Sequence, residues 1–358
     1  MSEPVKQRHL RVLLLSSRHT SESDNKREKK IFEAMIEALD TAGIDAEHRA
    51  IRFEKDLLNA IDHAEPDVVF NALCFSDPAM GLSQGIQKIL QDKGFACIGT
   101  KADSLAFIDS RDELRDRWRR NGVSTPLSFS IHRLQDGSLD GMDKAGSAKR
   151  FPYSIKPNSV IEGSAIRPFS IANSRADLRK KIIALSRRFD GILVEEFLGN
   201  KKDARLFTVG MIGNGDRAIL MPSELHLAKG KSVESITDRD IARNRAKALP
   251  VDDRILEREL KRFARAAIHA ADVRDFARLN VIHADGKFYA IDILAQPLVP
   301  DSLFDACAAI AGLDRNQRTI AIFIAGFARL FLEGSAFIAI PSQMRTSLPQ
   351  PFFSMLYG

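Results

Sequence analysis

A lysine that ends an apolar strand, followed six residues later by a Gly-Ser loop, opens the chemistry of this chain. In FPYSIKP the lysine is Lys156, and Glu162, Gly163, Ser164 and Ala165 follow it. An ammonium meets phosphate oxygens while flexible loop amides close over them, so the pair reads as a phosphate clamp. A second stretch, VEEFLGNKKDAR, carries Glu195, Glu196, Phe197 and Leu198 at the end of an apolar strand. Its backbone donor and acceptor suit a purine edge, with Phe197 as an apolar wall and Asp203 within reach of ribose hydroxyls. A third, FYAIDILAQPLVPDSL, sets the carboxylate of Asp292 two residues before Leu294, an apolar residue where a metal ligand would be most useful. Taken singly, each stretch also fits a surface lysine with an ordinary turn, or an acidic strand end with a solvated loop.

The elements that must position these residues change style along the chain. LRVLLLSS, AEHRAI and PDVVFNALCF read as strands, REKKIFEAMIEALDTAGI and SQGIQKILQDKG as helices, and FACIGT as a further strand. This alternation predicts a parallel sheet with helices on both faces, and a ligand at its carboxyl ends, SSRHTSES and LCFSDPAMG. After the helix RDELRDRWRRNG, strands follow one another as LSFSIHRL, FPYSIKP, GILVEEFL, ARLFTVGMIG, RAILMPSELHL, FARLNVIH and KFYAIDIL. GMIGNGDRAIL and the ADGK turn predict hairpins, because Gly, Asn and Asp supply positive φ. Helices are expected at SRADLRKKIIALSRR, VDDRILERELKRFARAAIHAA and TDRDIARNRAKALP, and GSLDGMDKAGSAK reads as a mobile loop. The fold class is therefore α/β followed by α+β around antiparallel strands.

Composition narrows the function. The chain has 358 residues, 44% of them hydrophobic, and three widely spaced cysteines. That length supports more than one lobe, and the cysteines give neither a disulfide framework nor a zinc pattern. A reducing cytoplasm is expected. No apolar run approaches the ~18 residues of a spanning helix, so no membrane is expected. The net charge of +6 is spread among acids, as in RDELRDRWRR, which reads as a solvated helix face and argues against a nucleic-acid partner. A mild basic excess suits closure around a phosphorylated ligand.

The order of these stretches resembles the ATP-grasp superfamily, most closely its D-alanine:D-alanine ligase branch, over nearly the whole chain. PDVVFNALCFSDPAMGLSQGIQKILQDKGFACIGT is similar to the family's Gln-Gly helix segment, FPYSIKPNSVIEGSAI to its ATP lysine and loop, and GILVEEFL to its adenine hinge. NKKDARLFTVG is more like the ribosomal-protein glutamate-ligase branch. The resemblance implies an ATP-grasp fold, with an N-terminal parallel α/β subdomain and antiparallel-sheet ATP-binding lobes. Expected boundaries are 1–100, 101–200 with the hinge, 201–335, and a tail at 336–358. It implies ATP and Mg²⁺ as cofactors, small-molecule carboxylate and amine substrates joined through an acylphosphate, and a homodimer. Lys156 would hold phosphate, Gly163 and Ser164 would cover it, Glu195 to Leu198 would hold adenine, and Asp203 ribose. The D-alanine ligases have a glutamate where this chain has Leu206, so Asp203 rests on the other branch. Arg278 matches the strand arginine that polarises the carboxylate or stabilises an oxyanion. Ser302 resembles the serine that receives a substrate carboxylate, and Glu22 would receive an ammonium.

Departures from the pattern gather at the metal and substrate positions. The family's three metal-ligand positions hold Asn280, Asp292 and Leu294, so one ion is expected on Asp292 and Asn280, with Gln296 a further candidate. The family's polar substrate loop is CFSDPAMG here, its Gly-Gly is Ser16-Ser17, and the lysine of its D-K pair is Ser110. These changes argue against D-alanyl-D-alanine as product. Lys247 or a neighbouring arginine is the candidate to close over phosphates, against a solvated basic helix. The helix in NQRTIAIFIAGFARLFLEG is expected to close the catalytic lobe or a dimer interface, and the tail to wrap this chain or a neighbour. The leading function is a carboxylate-amine ligase. A degenerate module that binds nucleotide without turnover is the alternative, with a phosphotransferase behind both.

Overall fold

The structure, a computed structural model, describes residues 10–18, 22–72, 80–159, 171–227, 246–297, 302–335 and 340–357. Strands β1 (Arg11–Ser17), β2 (Asp45–Ile51), β3 (Val68–Asn71) and β4 (Cys97–Ile98) form a sheet in the order β2-β1-β3-β4, with every described pairing parallel. Leu13, Leu14 and Leu15 are all fully buried, as a strand covered on both faces requires. The covering helices are α1 (Glu22–Thr41), α2 (Glu54–Ala64) and α3 (Met80–Asp92). Helix α2 begins in EKDLLNAIDHA, where the sequence reading placed no element.

Two helices lead onward, α4 (Ala102–Asp109) and α5 (Arg111–Arg120), into an antiparallel sheet. Its strands are β5 (Ser128–Arg133), β6 (Leu139–Asp140), β7 (Tyr153–Pro157), β8 (Ile171–Ala172) and β9 (Gly191–Glu196), ordered β6-β5-β9-β7-β8. Helices α6 (Met142–Ser147) and α7 (Arg175–Ser186) accompany it. The segment GSLDGMDKAGSAK, expected to be a mobile loop, thus contains β6 and α6. Ala145 and Ala148 explain this, since both are buried in the core of the sheet.

The second antiparallel sheet has the order β12-β11-β10-β13-β14. Its strands are β10 (Arg205–Ile212), β11 (Ile219–Leu227), β12 (Ala246–Leu249), β13 (Phe276–Ala284) and β14 (Lys287–Ala295). Both expected hairpins form, and the second turns on Asp285 and Gly286 at φ 50° and 70°. Helix α8 (Arg254–Ala270) is capped by the Asp253 carboxylate and packs on one face with Phe207, Val209, Leu279 and Ile293. Leu105, Leu114 and Trp118 of α4 and α5 join that same core, and the Trp118 indole donates to the Ala267 carbonyl at 2.8 Å. The basic stretch TDRDIARNRAKALP, 237–250, was expected as a helix. Within its described part, Ala246–Leu249 is an edge strand paired with β11, and Lys247 is exposed there.

The remaining helices are α9 (Ser302–Ile310), α10 (Arg315–Leu332), α11 (Ser342–Thr346) and α12 (Gln350–Tyr357). Helix α10 was expected to close the catalytic lobe or a dimer interface; it packs between α1 and β4 of the N-terminal sheet and β10 and α9 of the C-terminal lobe. Gly326 permits the approach, because a Cβ there would lie 2.6 Å from Ile98 Cγ1. Asp275 ties the lobes together: it accepts from the Gly99 amide at 2.7 Å and from Arg329 Nε and Nη2 at 2.8 and 2.7 Å. The tail returns to its own chain, burying Ile340, Met344, Leu348 and Leu356 in the core that α1 and α10 share. No helix among the described residues is long and apolar enough to cross a membrane.

Candidate active site

The two antiparallel sheets meet across α5, and a set of charged side chains is buried at their junction. Lys156 reaches it from β7 because the strand pairs with β9 in a register that sets Ser154 opposite Glu195. Its Nζ lies 2.5 Å from Glu195 Oε2, and both side chains are almost fully buried. Arg115 approaches the same carboxylate, with Nε 2.6 Å from Oε1, and its Nη2 donates to the Ile291 carbonyl on β14. Burial by itself would raise the Glu195 carboxyl, but the charges and hydrogen bonds of Arg115 and Lys156 outweigh it and hold the group at about 2.

Asp292 lies beyond this triad. A bulge between Asn280 and Val281 in the β13–β14 pairing sets Asp292 opposite Asn280 and Leu294 opposite Arg278, on one side of the sheet. Arg278 Nη1 donates to Asn280 Oδ1 at 2.9 Å. Asp292 Oδ1 lies 3.6 Å from Arg111 Nε. Burial pushes the Asp292 carboxyl up, while Arg111, Lys156 and Arg115 overcome it and hold the group below its ordinary range. Arg278, Asn280, Asp292, Arg111, Arg115, Glu195 and Lys156 therefore form one continuous run of polar side chains between the sheets.

The charge pattern of RDELRDRWRR predicts a solvated face, but Arg111 and Arg115 are 5% and 0% exposed. The missed signal is spacing. Arg111, Leu114, Arg115 and Trp118 recur at helical intervals, and all four are buried. Arg111 is fixed by donating from Nη1 to the carbonyls of Pro157 and Ser159, at 2.7 and 2.8 Å.

The other expected residues are distributed unevenly. Glu196 is within 3.9 Å of Lys201 and 4.0 Å of Arg150. Phe197 and Leu198 are buried, and Leu198 joins Leu206, Leu225, Ile282, Ile291 and Leu303 in an apolar cluster at the hinge end. Asp203 accepts from the Asp285 amide at 2.8 Å and so braces the β13–β14 turn. Glu22 is exposed at the first turn of α1, 2.8 Å from Lys26. Ser302 begins α9, but its side chain lies outside the described residues, as do Gly163, Ser164 and the segment 73–79. Ser110 bonds to Asp112 at 2.7 Å. Gln296 has φ 61° and packs against Gly99, with neither side-chain polar atom hydrogen-bonded among the described residues. At the carboxyl end of β1, the Ser16 hydroxyl and His48 Nε2 share a hydrogen bond of 2.8 Å, and burial with the Arg49 charge lowers His48 to about 4.

These residues do not fit a resident magnesium ion. Magnesium needs near-octahedral oxygen donors at about 2.0–2.1 Å. Asn280 Oδ1 accepts from a guanidinium, Leu294 has no donor, and Asp292 Oδ1 faces a second guanidinium, so at these three positions only Asp292 Oδ2 offers an ion an open carboxylate oxygen. The Thr208 hydroxyl beside Asn280 has no hydrogen-bond partner among the described residues, but it is fully buried and brings no charge.

No protein-family model matches the chain. It is 22% identical over 245 residues to the carbamoyl phosphate synthase large chain of Clostridium beijerinckii; the match covers 67% of this chain and 20% of that one. The chain thus spans about a fifth of the length of that curated relative. Among solved structures, it is similar to D-alanine–D-alanine ligase from Bacillus anthracis complexed with ATP, at a TM-score of 0.70 and 16% identity. That match covers 91% of this chain and 100% of the ligase. VanG D-Ala:D-Ser ligase from Enterococcus faecalis aligns with a TM-score of 0.67 and 16% identity, over 89% of this chain and 100% of that one. At these identities the likeness concerns architecture: the chain has the ATP-grasp fold of the D-alanine ligases.

Proposed function

We propose that this chain is an ATP-dependent ligase that joins a carboxylate to an amine through an acylphosphate. The observation that carries the reading is the continuous run of buried cations, Lys156, Arg115, Arg111 and Arg278, between the two antiparallel sheets of this fold. Fixed cations in a dry cleft stabilise charge on a transferring phosphoryl group without reorganising. Lys156 would exchange Glu195 for phosphate oxygens, leaving Arg115 to hold that carboxylate, and Gly163 and Ser164 would cover the phosphates. Glu195 to Leu198 would present backbone to the purine, against the apolar cluster around Leu198. Asp203 would accept from the ribose, giving up the turn amide.

In the reaction, a substrate carboxylate oxygen attacks the γ-phosphorus and ADP leaves. The amine then attacks the acyl carbon, phosphate departs, and the amine loses its proton. Arg278 would polarise the carboxylate and hold the tetrahedral oxyanion. Glu22 and Ser302 would receive the ammonium and carboxylate ends of the substrates. D-alanyl-D-alanine is not the product on this reading, because Ser110 and the CFSDPAMG segment replace the family's lysine and polar loop.

The test is ADP release against pooled amino acids. Release that needs both a carboxylate and an amine, with isotopic oxygen from the carboxylate appearing in phosphate, would establish the reaction. A second reading, nucleotide binding without turnover, is favoured by Leu294 and by the Arg278–Asn280 hydrogen bond at the family's metal positions. Nucleotide binding with no product across the pool would select it.

A further inference from the structure

The one carboxylate at the family's three metal positions, Asp292, already faces a cation. Arg111 Nε and Asp292 Oδ1 are 3.6 Å apart. Both atoms are buried, and neither has a hydrogen-bond partner among the described residues. The guanidinium cannot readily withdraw, because its Nη1 is held by the carbonyls of Pro157 and Ser159 at 2.7 and 2.8 Å. Those carbonyls flank the end of β7, immediately after Lys156.

This geometry is hostile to a dication and receptive to a polyanion. An ion bound to Asp292 Oδ1 at about 2.1 Å on its buried side would press against the Arg111 guanidinium. Along the cleft, Arg111, Lys156, Arg115 and Arg278 outnumber the carboxylates of Asp292 and Glu195, while Asp109 and Asp112 are held by hydrogen bonds from Ser159 and Asn158 beside Arg111. In a low-dielectric cleft that excess opposes a divalent cation and draws phosphate oxygens. A guanidinium is permanently charged and presents its donors in a plane suited to phosphate.

We infer that this site binds the polyphosphate of a nucleotide directly on side-chain cations, with Arg111 supplying the charge that a magnesium ion would otherwise bring. The inference rests on the nucleotide reading of the cleft. It makes the metal-free nucleotide, rather than its magnesium complex, the preferred ligand. Asp292 then acts as a counter-charge that holds Arg111 in the empty cleft, and it is released when phosphate arrives.

Calorimetry with ADP and ATP on the full chain, in EDTA and in excess magnesium, tests this. Both nucleotides should bind in EDTA at least as tightly as in magnesium. Asp292→Asn should keep or strengthen metal-free binding, by up to about tenfold, because it removes a negative charge from an anion site. Arg111→Met should weaken it about tenfold or more, with folding checked by circular dichroism because Arg111 also braces two carbonyls. Binding that requires magnesium and is lost in Asp292→Asn would overturn the inference while leaving the nucleotide reading intact. No binding of either nucleotide in either buffer would overturn both.

Discussion

Lys156 and Glu195 meet at 2.5 Å in a place where both side chains are at least 97% buried, on adjacent strands of the central sheet. Arg115 completes the contact from a helix outside that sheet. The three side chains hold the junction of the antiparallel sheets, and several measurable consequences follow from their burial.

Glu195→Gln leaves the Lys156 and Arg115 charges without their counter-ion. Removing one partner of a buried ion pair costs about 3–5 kcal/mol. Glu196→Gln, whose contacts with Lys201 and Arg150 are 3.9 and 4.0 Å, should cost less than about 1 kcal/mol. Urea unfolding of the two variants gives the comparison, and equal losses would refute the role assigned to Glu195.

Acid should unfold the protein in two stages. The folded His48 titrates near 4, below its ordinary 6.5, so the stability tied to its neutral form is complete above 6.5 and is lost as pH falls towards 4. Glu195 titrates near 2 instead of 4.5, so its contribution is present above 4.5 and disappears as pH falls through 2. That second loss is on the order of 3 kcal/mol. Chemical denaturation across pH should show both windows, and Glu195→Gln should shrink the lower one to what Asp292, Asp112 and Glu224, also held below their ordinary range, contribute.

Lys156→Gln should weaken nucleotide binding about tenfold or more, since a charge-assisted hydrogen bond contributes roughly 1.5–3 kcal/mol. Arg115 still holds Glu195 in this variant, so the fold should persist. Calorimetry on a sample with an unchanged circular dichroism spectrum separates the two effects. Undiminished affinity would remove Lys156 from the phosphate site.

Gly326→Ala should destabilise although alanine favours a helix by about 1 kcal/mol. The added Cβ would stand 2.6, 2.9 and 3.0 Å from three atoms of Ile98, which is fully buried. Overpacking of this kind costs about 1–3 kcal/mol. Pairing it with Ile98→Ala should give a favourable coupling in a double-mutant cycle, and additive losses would mean the contact is not what limits the approach.

Deleting 340–357 should lower the melting temperature of the chain. Ile340, Met344, Leu348 and Leu356 fill the core between α1 and α10, and each buried apolar side chain contributes roughly 1.5–3 kcal/mol before ordering costs. An unchanged melting temperature would show that the tail adds nothing to that core.

The sequence by itself determined the longer strands of both antiparallel sheets, though not β6, β8 or β12, together with the Asp285-Gly286 turn and most of the long helices, because period, turn residues and caps are local properties. The order of PDVVFNALCF with its Gln-Gly helix, FPYSIKP, GILVEEFL and NKKDARLFTVG was enough to anticipate the fold. Tertiary structure decided how charge is arranged. Arg111 and Arg115 lie in a run of alternating charges that looks solvated until β7, β9 and β14 close over it. The bulge at Asn280 sets Asp292 against Arg111, and nothing local in KFYAIDIL announces that partner. Lys156 could be recognised as a cation at a strand end, but its pairing with Glu195 depends on strand register, and its reach towards Asp292 depends on how two sheets pack. Local periodicity fixes which elements form; the company a charge keeps is fixed by contacts between residues far apart in the chain, and the chemistry of this cleft depends on that company.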